Sequence, residues 1–310
     1  MKTETNVLSL SQKGSVLAYK WSKENSEPKA AIILVHGMAE HIERYQGFAE
    51  KLTENDFLVY GYNQRGHKDS IASKEDYGYM SDKDNFMILV YDLFEVTEIV
   101  KNENPNLPIF VFGHSMGSFV TQRFVQLYGS KVDGIILCGS AKQPNGLLKM
   151  GTLIARLVIG LRGRRHRSKL LDNLTFGSYN KYFRPNRTAF DWLNRDEKEV
   201  DKYVEDEYCG GIFTATYFKD FLRGLSSINH NFELVPKNLP IFIISGTQDP
   251  VGGPVKLVTK LHETLKHMEI KDLTFKLYPD ARHELLLEQN KEEVMTDCLN
   301  WLIAHIQKRP

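Results

Sequence analysis

The chain has 310 residues, 42% of them hydrophobic, enough apolar surface for one large core or for a core with an inserted subdomain. With 40 basic and 39 acidic residues the formal charge is +1, so the balance points to no nucleic acid or other polyanion as a partner. The three cysteines, Cys138, Cys209 and Cys298, stand far apart without a CxxC pair, which excludes a disulfide framework and a zinc knuckle.

The opening residues, MKTETNVLSLSQKG, are polar and lack the apolar stretch of a signal peptide. No window of about 18 uncharged apolar residues predicts a membrane span. A reducing, cytoplasmic setting is therefore expected. Residues 16–21 read as the first strand, and the continuous apolar run AAIILV at 30–35 as a strand buried on both faces. A helix over 43–54 and a strand over 57–62 follow. The spacing of Phe86, Leu89, Val90, Leu93, Val96 and Val100 predicts a long helix over 81–103, with Ser81 and Asp84 placed as a capping box. Next come a strand at 109–112, a helix at 116–128 and a strand at 132–138. Strands at 241–245 and 273–278 and helices at about 255–267 and 292–307 close the chain. Strands that alternate with helices imply right-handed crossovers, hence an α/β architecture with a mostly parallel sheet covered on both faces.

The alternation fails between Gly139 and about Pro236, where no good strand is found and residues 141–161 and 196–225 read as helical. Residues 1–139 and 237–310 are thus expected to form the core and residues 140–236 a helical insertion. It follows a strand end, where α/β sheets carry their sites, and its length favours a cap over a pocket.

Between the strand at 109–112 and the following helix stands Gly113-His114-Ser115-Met116-Gly117, a G-x-S-x-G pattern. A sharp strand-to-helix turn needs small neighbours, and it exposes the serine hydroxyl beside a helix N-terminus, where the Met116 N–H and the helix dipole favour a developing oxyanion. A serine hydroxyl needs a base, and the base needs an orienting acid. Asp249 follows the strand IFIIS and His283 follows the strand ending in FKLY, so Ser115, Asp249 and His283 lie on three successive loops in the order an α/β-hydrolase uses. Asp280, three residues before His283, is the weaker choice of acid. The loop after AAIILV, beginning His36-Gly37-Met38, is placed to give a second oxyanion donor from the Met38 N–H.

HGMAEHIERY, NQRGHKDS, GHSMGS, SGTQDP and ARHE, in that order, resemble the motif series of α/β-hydrolases of the monoacylglycerol lipase and lysophospholipase branch, also called serine aminopeptidase-like. The resemblance covers roughly residues 15–307. It implies Ser115 as nucleophile, His283 as base, Asp249 as its partner, and the Met38 and Met116 amides as oxyanion donors, with the insertion lining an acyl pocket. It also implies Glu40 and Arg44 near the polar head of the substrate, the alternative being a local salt bridge that orders their loop. The chain departs from the family pattern at Asn63 (usually aspartate), Lys68 (usually glycine), Ser118 (often glycine) and Leu286, where monoacylglycerol lipases carry a second histidine.

The expected activity is hydrolysis of carboxylic esters of apolar acyl chains, without metal or organic cofactor, on a small-molecule ester or lipid. An aminopeptidase or thioesterase using the same three residues, and a ligand-binding module without catalysis, are the alternatives. The run from Arg162 to Lys169 holds five cations beside the apolar LLKMGTLIARLVIGL. It reads either as a solvated loop after a packed helix or as a transient contact with a membrane surface.

Overall fold

The computed structural model describes residues 1–11 and 14–306. Eight strands form one sheet: β1 (Lys2–Leu10), β2 (Gly14–Ser22), β3 (Ala30–Val35), β4 (Phe57–Tyr62), β5 (Ile109–His114), β6 (Gly134–Cys138), β7 (Ile241–Gly246) and β8 (Leu273–Tyr278). Their order is β1-β2-β4-β3-β5-β6-β7-β8. The ribbon β1–β2 joins β4 antiparallel, and every pairing from β4 to β8 is parallel. The helices are α1 (Gln46–Glu54), α2 (Asn85–Glu103), α3 (Met116–Tyr128), α4 (Asn145–Arg162), α5 (Lys169–Phe176), α6 (Glu197–Glu205), α7 (Ala215–Asn229), α8 (Lys256–His267) and α9 (Lys291–Ile306). The expected last helix ran to residue 307, which lies outside the described residues.

Strand side chains alternate between faces, so the sheet divides the core in two. Ile32 and Leu34 of β3 join Phe110 and Phe112 of β5 against Phe48 and Leu52 of α1 and Val294, Cys298 and Leu302 of α9. Ile33, Val35, Val111 and Ile135 pack on the other face against α2, α3 and α8, and this second cluster continues into the inserted helices through Leu148, Ala155, Phe218 and Phe221. Strands β3 to β7 are buried throughout, which is why they read as unbroken apolar runs.

Several local readings differ from the structure. Strand β1 went unread because nearly all of its residues are exposed, and an antiparallel edge ribbon needs no apolar signature. Helix α2 starts at Asn85, not Ser81. Asp84 takes a left-handed φ of 56°, the Ser81 hydroxyl accepts from the Lys83 N–H, and Asp220 of α7 accepts from the Asn85 N–H at 3.2 Å. Helix α1 is preceded by a 3₁₀ turn, Ile42–Tyr45. The stretch 196–225 splits into α6 and α7, because Thr214 leaves the helical path to bond the Gly78 carbonyl with both its N–H and its hydroxyl. Residues 140–236 contribute α4 to α7 and no strand of the sheet.

Candidate active site

Ser115 occupies the turn between β5 and α3 with φ 50° and ψ −118°, a backbone region an L-residue enters only at a cost of about 1–3 kcal/mol. Its backbone is held on both sides. The Ser115 N–H donates to the Cys138 carbonyl at 2.9 Å, and the Ser115 carbonyl accepts from the Ser118 N–H and the Ser118 hydroxyl. The two flanking glycines are required sterically. A Cβ on Gly117 would collide with the carbonyl oxygens of Val35 and His36, and one on Gly113 would meet Thr121 Oγ1 and the Gly117 carbonyl. The end of β3 therefore lies directly against the start of α3, and the 36–41 loop comes to the serine: a Cβ on Gly37 would lie 3.2 Å from the Ser115 Cβ.

His283 and Asp249 meet across two loops, with Nδ1 to Oδ1 at 2.9 Å, both fully buried. With Oδ1 of Asp249 also accepting from the Val251 N–H at 2.9 Å, the carboxylate is locked in orientation. Burial alone would lower the His283 pKa, but the charge and hydrogen bond of Asp249 outweigh it and Glu284 and Glu40 add to it, so the net displacement is upward. The His283 and Glu284 N–H groups both donate to the Leu193 carbonyl, at 3.0 and 2.9 Å, so the insertion itself pins this loop. Trp192 stands beside the imidazole with ring centres 5.2 Å apart. Asp280 is exposed and its N–H bonds Thr247 Oγ1; it does not approach the histidine pair.

The loop carrying Met38 is rigid for identifiable reasons. Neutral His36 donates from Nδ1 to the Gly37 carbonyl at 2.7 Å and accepts at Nε2 from the Gln64 N–H at 2.9 Å. Burial drives its pKa down to about 4, which keeps it neutral. The Gly37 N–H is taken by Glu40 Oε1 at 2.6 Å. Among the described residues, neither the Met38 N–H nor the Met116 N–H has a protein acceptor, and the latter is the first donor of α3.

Glu40 and Arg44 belong to one ion network. Arg44 Nη1 bonds Glu40 Oε2 at 2.8 Å, and the same guanidinium grips both carboxylate oxygens of Glu284, at 2.5 and 2.9 Å. All three side chains are buried, and the Arg44 guanidinium also lies 4.9 Å from the Tyr203 ring centre. One guanidinium thus holds two carboxylates. The contact is the local salt bridge of the loop-ordering alternative, and Glu40 and Glu284 also border the cavity at Ser115.

Two cavities meet at the serine, and Ser115, Met38 and Phe176 line both. One, of about 330 Å³, mixes Glu40, Asp172, Asn180, Tyr203, His283 and Glu284 with Met38, Phe176, Phe190, Trp192 and Leu193, and is the more polar of the two in that, among the described residues, it alone carries carboxylates. The other, of about 400 Å³, runs between α4, α5 and α7 and is walled by Phe119, Ile154, Leu171, Phe218, Phe221 and Leu225.

A family model described as Serine aminopeptidase, S33, matches residues 26–290. The chain belongs to that family. It is 23% identical over 303 residues to a monoacylglycerol lipase of Mycolicibacterium smegmatis, covering 94% of this chain and 95% of that protein. It is 24% identical over 299 residues to the monoglyceride lipase of Rattus norvegicus, covering 96% and 88%. Among solved structures, a highly thermostable carboxyl esterase from Bacillus coagulans in complex with glycerol matches with a TM-score of 0.91 at 25% identity, covering 99% of both chains. The fold is that of the α/β-hydrolases.

Within this S33 chain the four departures from the family pattern have visible consequences. Asn63 Oδ1 still accepts from the Ile42 N–H at 3.0 Å, a role its amide shares with aspartate. Lys68 has φ 34°, which explains why a glycine suits that position. Ser118 bonds the Ser140 hydroxyl at 2.8 Å, tying α3 to the end of β6. Leu286 is buried in the α1–α9 core cluster and offers no polar group. Three neighbours of the site escaped the sequence reading. Glu284 was legible only as part of the ARHE motif. Trp192 and Leu193 carry no local signal, because only the path of the insertion brings them to His283.

Proposed function

We propose that this chain is a serine carboxylic ester hydrolase, cleaving esters of apolar acyl chains through an acyl-enzyme, with monoacylglycerols and lysophospholipids as the substrate type. One observation carries the reading: a serine in a strained, glycine-flanked turn sits where a cavity bearing carboxylates meets one walled mainly by apolar side chains, with His283, backed by the buried Asp249, lining the first. The relatives named monoacylglycerol lipase and monoglyceride lipase support it.

In this reading the acyl chain lies in the apolar cavity and the alcohol in the polar one. Ser115 Oγ attacks the ester carbonyl while His283 takes its proton, and Asp249 holds the ring and stabilises the imidazolium. The negative oxygen faces the Met38 and Met116 N–H groups, whose unspent donors and fixed positions lower the barrier without reorganisation. The carbon–oxygen bond to the alcohol then breaks as His283 returns the proton. Water, deprotonated by the same histidine, releases the acid. The amide-cleaving alternative needs an acidic site for a free amine. Arg44 draws Glu40 and Glu284 into one network with a single excess negative charge, and both carboxylates are engaged by the guanidinium rather than free to hold an amine.

Residues 140–236 act in this proposal as a cap, since α4, α5 and α7 wall the acyl cavity. Contact with a membrane surface is supported by exposed leucines along α4, with Leu161 83% exposed. Of the five cations of the basic run, Arg164 pairs with Asp82 and Arg165 with Asp76, and Arg167 bonds two carbonyls. Among the described residues no helix is long and apolar enough to cross a membrane. A cytoplasmic location is proposed on the three cysteines, all free thiols.

The deciding experiment is labelling by a fluorophosphonate together with turnover of a p-nitrophenyl ester. The native protein should do both. Ser115→Ala should do neither while keeping its circular dichroism spectrum, with turnover reduced by several orders of magnitude. Near-native turnover by Ser115→Ala would overturn the mechanism.

A further inference from the structure

The outer face of the insertion carries a groove that the hydrolytic site does not use. It lies between α4 and α7, has a volume of about 430 Å³, and is separated from the acyl cavity by α4 itself. The two helices approach closely there, since a Cβ on Gly151 would touch Leu222. Lys149 and Arg156 stand two turns apart on one side of α4, and Arg223 faces them from α7. Hydroxyls of Ser226 and Ser227 and the imidazole of His230 complete the polar wall. Among the described residues no carboxylate lines the groove, and Lys149, Arg156 and Arg223 have no ion-pair or hydrogen-bond partner.

Three unspent cations converging with hydroxyl donors form a site for a phosphate oxygen cluster. The position selects the source of the phosphate. Leu153 lines the groove, and with Leu157 and Leu161 it forms an exposed apolar strip on α4 immediately beside the cations. A helix with an apolar strip flanked by cations lies in the plane of a bilayer interface, with its charges at headgroup level. A free phosphate would need the cations but not the strip.

We propose that the α4–α7 groove binds the phosphate of an anionic phospholipid and seats the cap on an anionic membrane, so that α4 meets the bilayer with the acyl cavity on its other side. The inference deepens the membrane contact proposed above and does not depend on the chemistry at Ser115.

The test uses the full chain carrying Ser115→Ala, so that binding is read without turnover. Co-sedimentation is measured with phosphatidylcholine vesicles with and without phosphatidylglycerol, over a range of salt. The expected result is binding to the anionic vesicles that weakens with salt. The triple variant Lys149→Ala, Arg156→Ala, Arg223→Ala should lose about a hundredfold in affinity, at roughly fivefold per cation. Lys149→Arg should retain binding, and Arg164→Ala with Arg165→Ala should change it little. Circular dichroism and the thermal midpoint establish that each variant is folded. Equal binding to both vesicle types, or a triple variant that binds like its parent, overturns the groove while leaving a purely apolar contact. Absence of binding to either vesicle overturns both. Tight binding of inorganic phosphate by calorimetry, lost in the triple variant and without vesicle binding, makes this a site for a soluble phosphate and overturns the lipid assignment.

Discussion

Acyl-chain selectivity should be set by the apolar cavity, and the effect can be sized. Taking a methylene as about the size of a water, ~30 Å³, the 400 Å³ cavity holds a chain of about a dozen carbons. Moving from a butyryl to an octanoyl ester adds four methylenes. At ~0.8 kcal/mol each this is about 3 kcal/mol, or about 200-fold in kcat/KM if burial is complete and about fifteenfold if it is half complete. Ile154→Trp is the informative perturbation. Ile154 lies on α4, half-buried, and lines this cavity but not the polar one. An indole there takes room from the far end of the chain and leaves Ser115 untouched. If it displaces two methylenes, about ten carbons still fit, so the dodecanoyl-to-octanoyl ratio should fall about fifteenfold while acetyl turnover stays within about twofold. The assay is kcat/KM across acetyl, butyryl, octanoyl and dodecanoyl p-nitrophenyl esters for both proteins. Equal losses on all four esters would show that the substitution disturbed the serine, and an unchanged ratio would show that the chain lies elsewhere. Either result refutes the assignment of this cavity.

Asp249→Asn should cut turnover by about four orders of magnitude by holding the imidazole in the wrong tautomer, whereas Asp280→Asn, exposed and away from the histidine, should stay within about twofold; the reverse ranking reassigns the acid. His283 must be neutral to accept the serine proton, and its pKa lies above the ordinary 6.5. The acid limb of kcat/KM should therefore fall off above pH 6.5. Glu284→Gln removes one raising charge and frees the positive Arg44 nearby, and both changes act in the same direction. The limb should shift to lower pH; an upward or absent shift would disprove the electrostatic account.

The readable parts of this sequence are those in which local chemistry and tertiary role coincide. The elbow is legible because its glycines are needed by contacts within a few residues and against the adjoining strand, and the loop order survives because parallel strands bring their C-terminal ends to one edge of the sheet. What went unread depends on partners distant in sequence. Helix α2 begins where Asp220, 135 residues on, accepts from Asn85. Glu40 and Arg44 read from the motif either as substrate contacts or as a local salt bridge, and only the approach of Glu284, 240 residues from Arg44, shows the wider network they join. Strand β1 has no apolar face to announce it. The basic run invites a membrane reading, yet Asp76 and Asp82 pair with two of its five cations, while the cations of the groove stand singly in sequence at 149, 156 and 223.

The Arg44 network links the two halves of the proposed chemistry. Glu40 holds the Gly37 N–H, and so the loop offering the Met38 donor; Glu284 adjoins His283 on the loop of the base. Arg44 bonds both carboxylates, so the oxyanion loop and the histidine loop share one buried cation. Three charges out of water are costly, and such a group favours one geometry more than it favours stability. Here the geometry has a use. A donor and a base on loops 240 residues apart must agree to within about 0.5 Å to serve one carbonyl, and a bidentate guanidinium has the planar rigidity to hold them there. Lysine at position 44 would keep the charge and lose that fork.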